Sequence, residues 1–278
     1  MEKLIITCAI TGGMHGKTAN PNLPEQPEEQ IRQTIDAWNA GASIVHIHAR
    51  NPKGESAQDP KIYQEIKQGI REKGCDIIIQ FTTGGGPHMS LEERIQSIEA
   101  DPEMASLNMG NINYPLPDGK TMLFVNAPSD LLWYAEEMQK RNIKPEMEVY
   151  APTMLKEVRL LIDQGLLKKP YYINFVMGMP AQGTIEANRN NLVFMIEQLP
   201  PDSIFNVCSL GASQLPMTTY SILEGGMARV GLEDNIYYRR GELAQSNAQL
   251  VERTARIARE LQREIASPTE AREILGMK

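Results

Sequence analysis

Cysteine, histidine and positive charge are all scarce in this 278-residue chain, and each shortage excludes something. Three cysteines, Cys8, Cys75 and Cys208, are odd in number, far apart and each near an apolar run. They read as reduced core thiols of a cytoplasmic protein and not as a disulfide framework. Twenty-eight basic residues against 35 acidic ones leave a formal charge of −7. That balance argues against a nucleic-acid or anionic-membrane surface, while leaving room for a local basic patch facing a phosphate-bearing cosubstrate. No apolar run approaches the length that spans a bilayer, and Met1-Glu2-Lys3 leads straight into a strand pattern, so neither a membrane span nor a signal peptide is expected. A G-x-G-x-x-G fingerprint after the first strand and a P-loop are missing too, which weakens the case for an open doubly wound sheet. Repeats, low-complexity segments and interdomain linkers are likewise absent from the sequence.

What the chain does have is alternation. Apolar runs of strand length recur eight times between longer amphipathic segments, the signature of parallel β/α architecture. Strands are expected at Lys3–Ile10, Ala42–Ala49, Asp76–Thr82, Met104–Met109, Pro145–Tyr150, Tyr171–Met177, Ser203–Leu210 and Met227–Glu233. Helices are expected at Pro27–Asn39, Pro60–Glu72, Leu91–Ile98, Ser129–Arg141, Met154–Gln164, Ile185–Glu197 and Gln214–Gly225, with a long tail from Leu243 to Ala266. Acidic first turns and glycine stops such as Gly41, Gly74 and Gly165 agree with these bounds. The fold class is therefore α/β, one (β/α)8 TIM barrel over residues 1–278. Two additions are expected. Tyr114-Pro115-Leu116-Pro117-Asp118-Gly119 followed by Met122-Leu123-Phe124-Val125 predicts a small hairpin after the fourth strand. Ser267-Pro268-Thr269-Glu270 predicts a capping box that opens a C-terminal helix.

The densest chemical signal is Val45-His46-Ile47-His48-Ala49, which holds two of only four histidines. Side chains two apart on a strand share a face, so both imidazoles point into the barrel, either as half of a divalent-metal site or as a hydrogen-bonded pair. The same parity turns Gln80, Thr82, Ser106, Asn108, Glu146, Glu148, Asn174, Asn206, Arg229 and Glu233 inward, more polar groups than a core needs. Glu233 fits equally as a third metal ligand or as the salt-bridge partner of Arg229. Asp234 has the opposite parity, yet stands where strand gives way to loop, and fits either a general base or a turn-opening residue. Thr82-Thr83-Gly84-Gly85-Gly86 at the barrel mouth suits a substrate carboxylate or a plain tight turn. His15 and His88 read as solvated loop residues. The fifth and sixth strands offer no inward lysine near their C-terminal ends, Lys144 being at the opposite end, which removes a Schiff-base aldolase. A two-metal hydrolase lacks histidines there, where Glu146, Glu148 and Asn174 stand.

Beyond these motifs, Ile10-Thr11-Gly12, Asn20-Pro21-Asn22-Leu23-Pro24, Gly41-Ala42-Ser43 running into the histidine strand, Ile79-Gln80-Phe81-Thr82-Thr83-Gly84-Gly85, Pro145-Glu146-Met147-Glu148-Val149 and Ala228-Arg229-Val230-Gly231-Leu232-Glu233-Asp234-Asn235 resemble the β-keto acid cleavage enzyme family over nearly the whole chain. The resemblance implies a homotetrameric, zinc-dependent barrel with one zinc per subunit and acetyl-CoA as cosubstrate. It would convert a β-keto acid and acetyl-CoA to acetoacetate and a new acyl-CoA. It also implies His46, His48 and Glu233 as zinc ligands, Asp234 and Arg229 as the acid/base pair, and Thr82 and Ser106 as hydroxyls on the substrate carboxylate. Glu148 or Glu146 would be the fifth-strand acid. Gly84, Gly85, Asn108 and Met14 complete the expected substrate pocket. Family members that act on cationic amino-keto acids carry an acidic residue where this chain has Met14, so a neutral R group is expected. A metal-dependent aldolase or hydrolase that does not use acetyl-CoA is the alternative, and a non-catalytic metal-binding barrel the third reading.

Overall fold

The computed structural model of the chain describes residues 2–86, 88–116 and 119–277. Eight parallel strands, numbered in chain order with the shorter strands described below, close on one another. They are β1 (Ile6–Thr11), β2 (Ile44–Ile47), β3 (Ile78–Phe81), β4 (Met104–Asn108), β7 (Lys144–Val149), β8 (Tyr171–Met177), β9 (Ser203–Ser209) and β10 (Met227–Val230). The ring runs β1-β10-β9-β8-β7-β4-β3-β2, with β2 pairing back to β1. This is the (β/α)8 barrel read from the alternation, with helices α1 (Pro27–Ala40), α2 (Pro60–Glu72), α3 (Leu91–Arg94), α4 (Pro128–Lys140), α5 (Leu155–Asp163), α6 (Arg189–Glu197), α7 (Gln214–Leu223) and α8 (Asn247–Glu260) in the connections.

Local chemistry accounts for these elements. In α2 the Asp59 carboxylate caps the Lys61 N–H at 2.9 Å, Pro60 opens the first turn, and Tyr63, Ile66 and Ile70 fall on one buried stripe. Tyr63 stacks on Phe81 of β3 with ring centroids 4.5 Å apart, joining helix to barrel wall. Burying such a side chain stabilises by roughly 1.5 to 3 kcal/mol. The expected C-terminal helix is α9 (Pro268–Ile274), and its capping box is reciprocal. The Glu270 N–H donates to Ser267 Oγ at 3.2 Å and the Ser267 N–H donates to Glu270 Oε2 at 2.8 Å. The insertion after β4 folds into the antiparallel hairpin β5 (Ile112–Pro115) and β6 (Thr121–Phe124). Pro117 and Asp118 of the expected turn lie outside the described residues.

Several bounds differ from expectation. Strand pairing stops short at the barrel mouth, so His48, Thr82 and Glu233 stand just beyond β2, β3 and β10 instead of within them. Helix α6 begins at Arg189, not at Ile185, because the Asn188 side chain caps the Asn191 N–H at 2.9 Å and starts the helix there. Helix α3 tightens after Arg94 into a 3-10 turn over Ile95–Ala100, and α5 is preceded by another over Pro152–Met154. The Leu243–Ala266 tail is helical only from Asn247 to Glu260, framed by the Ser246 cap, and β11 (Tyr237–Arg239) with β12 (Glu242–Leu243) forms a hairpin the sequence did not announce. Among the described residues no helix is long and apolar enough to cross a membrane. Cys8, Cys75 and Cys208 are free and buried, as their apolar surroundings predict.

The turn after β10 rests on Gly231. Its φ of +147° lies where side-chain-bearing residues are strained, and a β-carbon there would stand 2.0 Å from the Ala9 carbonyl oxygen. Gly231→Ala is expected to cost about 3 kcal/mol or more and to lower Tm by roughly 10 °C, read by thermal unfolding followed by circular dichroism. An unchanged midpoint would show that the turn does not depend on this glycine.

Candidate active site and metal centre

His46, next to last in β2, lies on the barrel interior and His48 follows on the same side just past the strand, their rings edge to face with centroids 5.1 Å apart. Gln80 on the neighbouring β3 fixes the first imidazole: its Oε1 can only accept, so His46 Nδ1 carries the proton across 2.7 Å and Nε2 keeps its lone pair. Burial pushes His46 down to about 3, which keeps the ring neutral. Both Nε2 atoms face Glu233, His46 at 3.7 Å from Oε2 and His48 at 3.3 Å from Oε1. One ligand atom from each of the three residues falls within 4.8 Å of the others, and Glu233 Oε2 is buried with no hydrogen-bond partner. Two imidazole nitrogens and a carboxylate oxygen gathered in this way are a donor set that would suit a divalent metal with open coordination positions.

Arg229 on β10 organises the adjacent wall. Its Nε and one terminal nitrogen donate to the two oxygens of Asp234 at 3.0 Å each, a bidentate pair. The same terminal nitrogen reaches Glu233 Oε1 at 2.8 Å, and the other donates to Glu148 Oε1 at 3.2 Å. Glu146 lies one layer deeper, with Oε2 4.0 Å from the guanidinium. Burial opposes ionisation of Glu233, but Arg229 and the two imidazoles outweigh it and hold that carboxylate far below the usual range. Burial raises Asp234 above the ordinary aspartate range, against Arg229 and with the help of the Glu233 charge. Glu148 is raised by burial in the same way, and Glu146 is pushed up to about 7. Four carboxylates thus surround one guanidinium, an excess of negative charge that a bound divalent cation offsets.

These groups form the floor of a cavity of about 480 Å³. Of the residues singled out from the sequence, His46, His48, Glu233, Arg229, Asp234, Glu148, Thr82, Gly84, Gly85, Asn108 and Met14 all line it. Ser106 does not reach the cavity. It is fully buried beneath the Thr82–Gly86 turn, where its Oγ accepts the Thr83 N–H at 3.3 Å and its carbonyl accepts from Thr83 Oγ1 at 2.6 Å. It shapes the turn instead of touching a ligand. Glu146 is likewise below the floor, accepting from Asn206 Nδ2 at 3.3 Å, so Glu148 is the acid of that pair that faces the cavity. His15 and His88 are exposed. Lys144 sits at the opposite end of the barrel, donating to the carbonyls of Lys168 and Pro170.

Sequence reasoning missed several lining residues. Tyr150 continues the Glu146, Glu148 parity one step past β7, so carrying that alternation further would have found it. Tyr114 and Phe124 come from the β5–β6 hairpin, and the Tyr114 hydroxyl meets Met14 Sδ at 3.1 Å across the cavity mouth. Arg50, the residue after the histidine motif, pins the loop after β1 by donating to the carbonyls of Gly12, His15 and Gly54.

Comparison with known proteins agrees with this geometry. The family model of the beta-keto acid cleavage enzymes matches residues 3–277. The 3-keto-5-aminohexanoate cleavage enzyme of Acetoanaerobium sticklandii is 42% identical over 277 residues, spanning all of this chain and 99% of the relative. The 3,5-dioxohexanoate:acetyl-CoA acetone transferase of Paraburkholderia graminis is 33% identical, spanning all of this chain and 96% of the relative. Among solved structures, the ternary complex of ObcA with a C4-CoA adduct and oxalate superposes with a TM-score of 0.80 over 92% of this chain and 68% of that one, at 18% identity, a likeness of fold. With the family model matched over residues 3–277 and a relative 42% identical over the whole chain, the chain belongs to the β-keto acid cleavage enzymes.

Proposed function

We propose that this enzyme condenses a β-keto acid with acetyl-CoA and cleaves the product to acetoacetate and a new acyl-CoA, with residues 1–278 acting as one catalytic domain. The observation that carries the reading is the Arg229–Asp234 pair set in the same cavity wall as the His46, His48 and Glu233 cluster. A relative named as a 3,5-dioxohexanoate:acetyl-CoA acetone transferase supports acetyl-CoA as the cosubstrate. Zinc held by His46, His48 and Glu233 would supply Lewis-acid polarisation of the keto oxygen. Asp234, raised by burial yet oriented by Arg229, takes the C2 proton as general base. The resulting enolate attacks the thioester carbon of acetyl-CoA and CoA thiolate leaves. The thiolate then adds to the original keto carbon, the C–C bond breaks, and the electron pair returns to C2 of acetoacetate, which regains a proton from Asp234. Arg229 stabilises the negative charge as it shifts and keeps Asp234 in register.

The R group is neutral on this reading. Beyond the charged floor the cavity is walled by Met14, Ile112, Leu116, Phe124, Val176, Met179 and Leu210. The carboxylates that line it, Glu148, Glu233 and Asp234, already face Arg229, so an ammonium on the substrate would find no carboxylate of its own. Three buried free thiols are in keeping with a reducing cytoplasm, and a homotetramer is the assembly we expect.

The test is to incubate zinc-loaded protein with uncharged β-keto acids and with 3-keto-5-aminohexanoate, with and without acetyl-CoA, and to follow acetoacetate and acyl-CoA by mass spectrometry. Both products should form only with acetyl-CoA, and an uncharged acid should be favoured by at least about 10-fold in kcat/KM. Cleavage without acetyl-CoA would favour a metal-dependent aldolase or hydrolase, and preference for the amino-keto acid would overturn the neutral pocket. Asp234→Asn should lower kcat by about 10²- to 10⁴-fold while elemental analysis still finds one zinc per chain, whereas His48→Ala should lose the metal as well. Arg229→Lys, which removes the planar fork, should also depress turnover more than metal content. Metal loss in both Arg229→Lys and Asp234→Asn would instead make that pair part of the ion's support.

A further inference from the structure

The hydroxyl of Tyr150 takes no part in the chemistry above, yet it lies in the cavity wall with only 7% of the residue exposed. It donates to Asn108 Oδ1 at 2.5 Å, with Glu148 Oε2 the next acceptor at 3.5 Å. Burial and the Glu148 charge push the phenol well above its usual range, so it keeps its proton and acts as a donor. An amide side chain has one acceptor end and one donor end. With the Asn108 oxygen held by Tyr150, its nitrogen is turned the other way. That nitrogen lies 3.8 Å from where a β-carbon on residue 84 would stand, and the same missing carbon would stand 3.1 Å from Thr82 Oγ1. Glycine at position 84 therefore leaves a corner open between Asn108 and Thr82. Arg229 is already engaged elsewhere, with four of its five N–H groups donating to Asp234, Glu233 and Glu148. An anionic ligand in an acid-floored cavity needs an uncommitted donor, and Asn108 Nδ2 is placed to be one.

We propose that Tyr150 is a positioning residue that locks the Asn108 amide, so that Nδ2 donates to an acceptor oxygen of the β-keto acid in the corner formed by Thr82 and Gly84. The inference rests on the functional reading above and extends it to how the substrate is oriented. Acetoacetate, itself a β-keto acid and the common product on that reading, is the probe. It is titrated calorimetrically into zinc-loaded wild type, Tyr150→Phe, Asn108→Ala and the double variant. Tyr150→Phe is expected to weaken binding about 10-fold and Asn108→Ala at least as much, with Tyr150→Phe adding less than about twofold once Asn108 is gone. Wild-type affinity in Tyr150→Phe would overturn the proposal. So would a Tyr150→Phe effect that persists undiminished in the Asn108→Ala background, since it would put the hydroxyl itself on the ligand. Should Tyr150→Phe fail to fold, Asn108→Asp against Asn108→Ala decides. Asp replaces the donor by an anion and should bind at least about 10-fold worse than Ala, and equal binding would overturn the donor role. Failure of the wild type to bind acetoacetate would instead overturn the functional reading, and this inference with it.

Discussion

A single buried guanidinium sets the terms for the barrel mouth. Arg229 is 3% exposed, and a cation so far from water is tolerated only where its donors are met by acceptors of good geometry. Asp234 meets it with both oxygens, and Glu233 and Glu148 take further donors. The dependence also runs the other way, because burial opposes ionisation of each of these carboxylates and the Arg229 charge favours it. Counting Glu146, the acids outnumber the cation four to one, and the excess is relieved in two ways. Glu146, deepest and farthest from Arg229, is pushed by burial up to about 7, so that its protonated form is substantially populated near neutral pH. Glu233 keeps one oxygen, Oε2, without a hydrogen-bond partner, 3.7 Å from His46 Nε2, which is where a divalent charge would fit.

The second constraint is the path of the chain after β10. On a regular strand Glu233 and Asp234 would face opposite sides, and only one of them could reach Arg229. Pairing ends at Val230, however, and Gly231 turns the backbone where a side chain would strike the Ala9 carbonyl. Beyond it the Glu233 N–H donates to the Ala9 oxygen at 3.1 Å, while the Gly211 N–H holds the Asp234 carbonyl at 2.8 Å. Both carboxylates are thereby brought to the same guanidinium. The site is made by ending the sheet pairing at Val230, three residues before Glu233, which couples the stability of this turn to the placement of both carboxylates.

That departure also explains what was legible in the sequence. The barrel itself was, because parallel strands buried on both faces appear as apolar runs, and their alternation with amphipathic segments admits few topologies. His46 and His48 were legible because the period of two along β2 carries on for one residue past its end at Ile47. Parity also found Glu148, Thr82 and Asn108, yet it could not tell depth: Ser106 and Glu146 point inward from the same strands but sit one layer below the cavity. Asp234 violated parity and was recovered only as a loop residue able to bend inward. The β5–β6 hairpin was announced by its turn residues, but nothing local said that Tyr114 would cross the mouth to Met14. That contact is tertiary and has no periodic trace. The β11–β12 hairpin was hidden because its strands are three and two residues long, too short to show alternation.

The cavity divides into a charged floor and an apolar roof, and the division matters energetically. The roof is made largely by the hairpin and the first loop, with Phe124 seated under the Arg94 guanidinium at 4.1 Å and Tyr114 bridging to Met14. Walls of this kind lower the local dielectric, so every interaction of Arg229 on the floor counts for more than it would in open water. On the proposed reaction, a carbanion-like charge developing above Asp234 would meet the fixed charge of Arg229 there. The same walls make a misplaced charge costly, which is why the cavity's outer chemistry selects what the floor is allowed to act on. On the proposed reaction, specificity and reactivity would therefore be two consequences of one arrangement: ions gathered at the strand ends, and the inserted hairpin lining the cavity beside them.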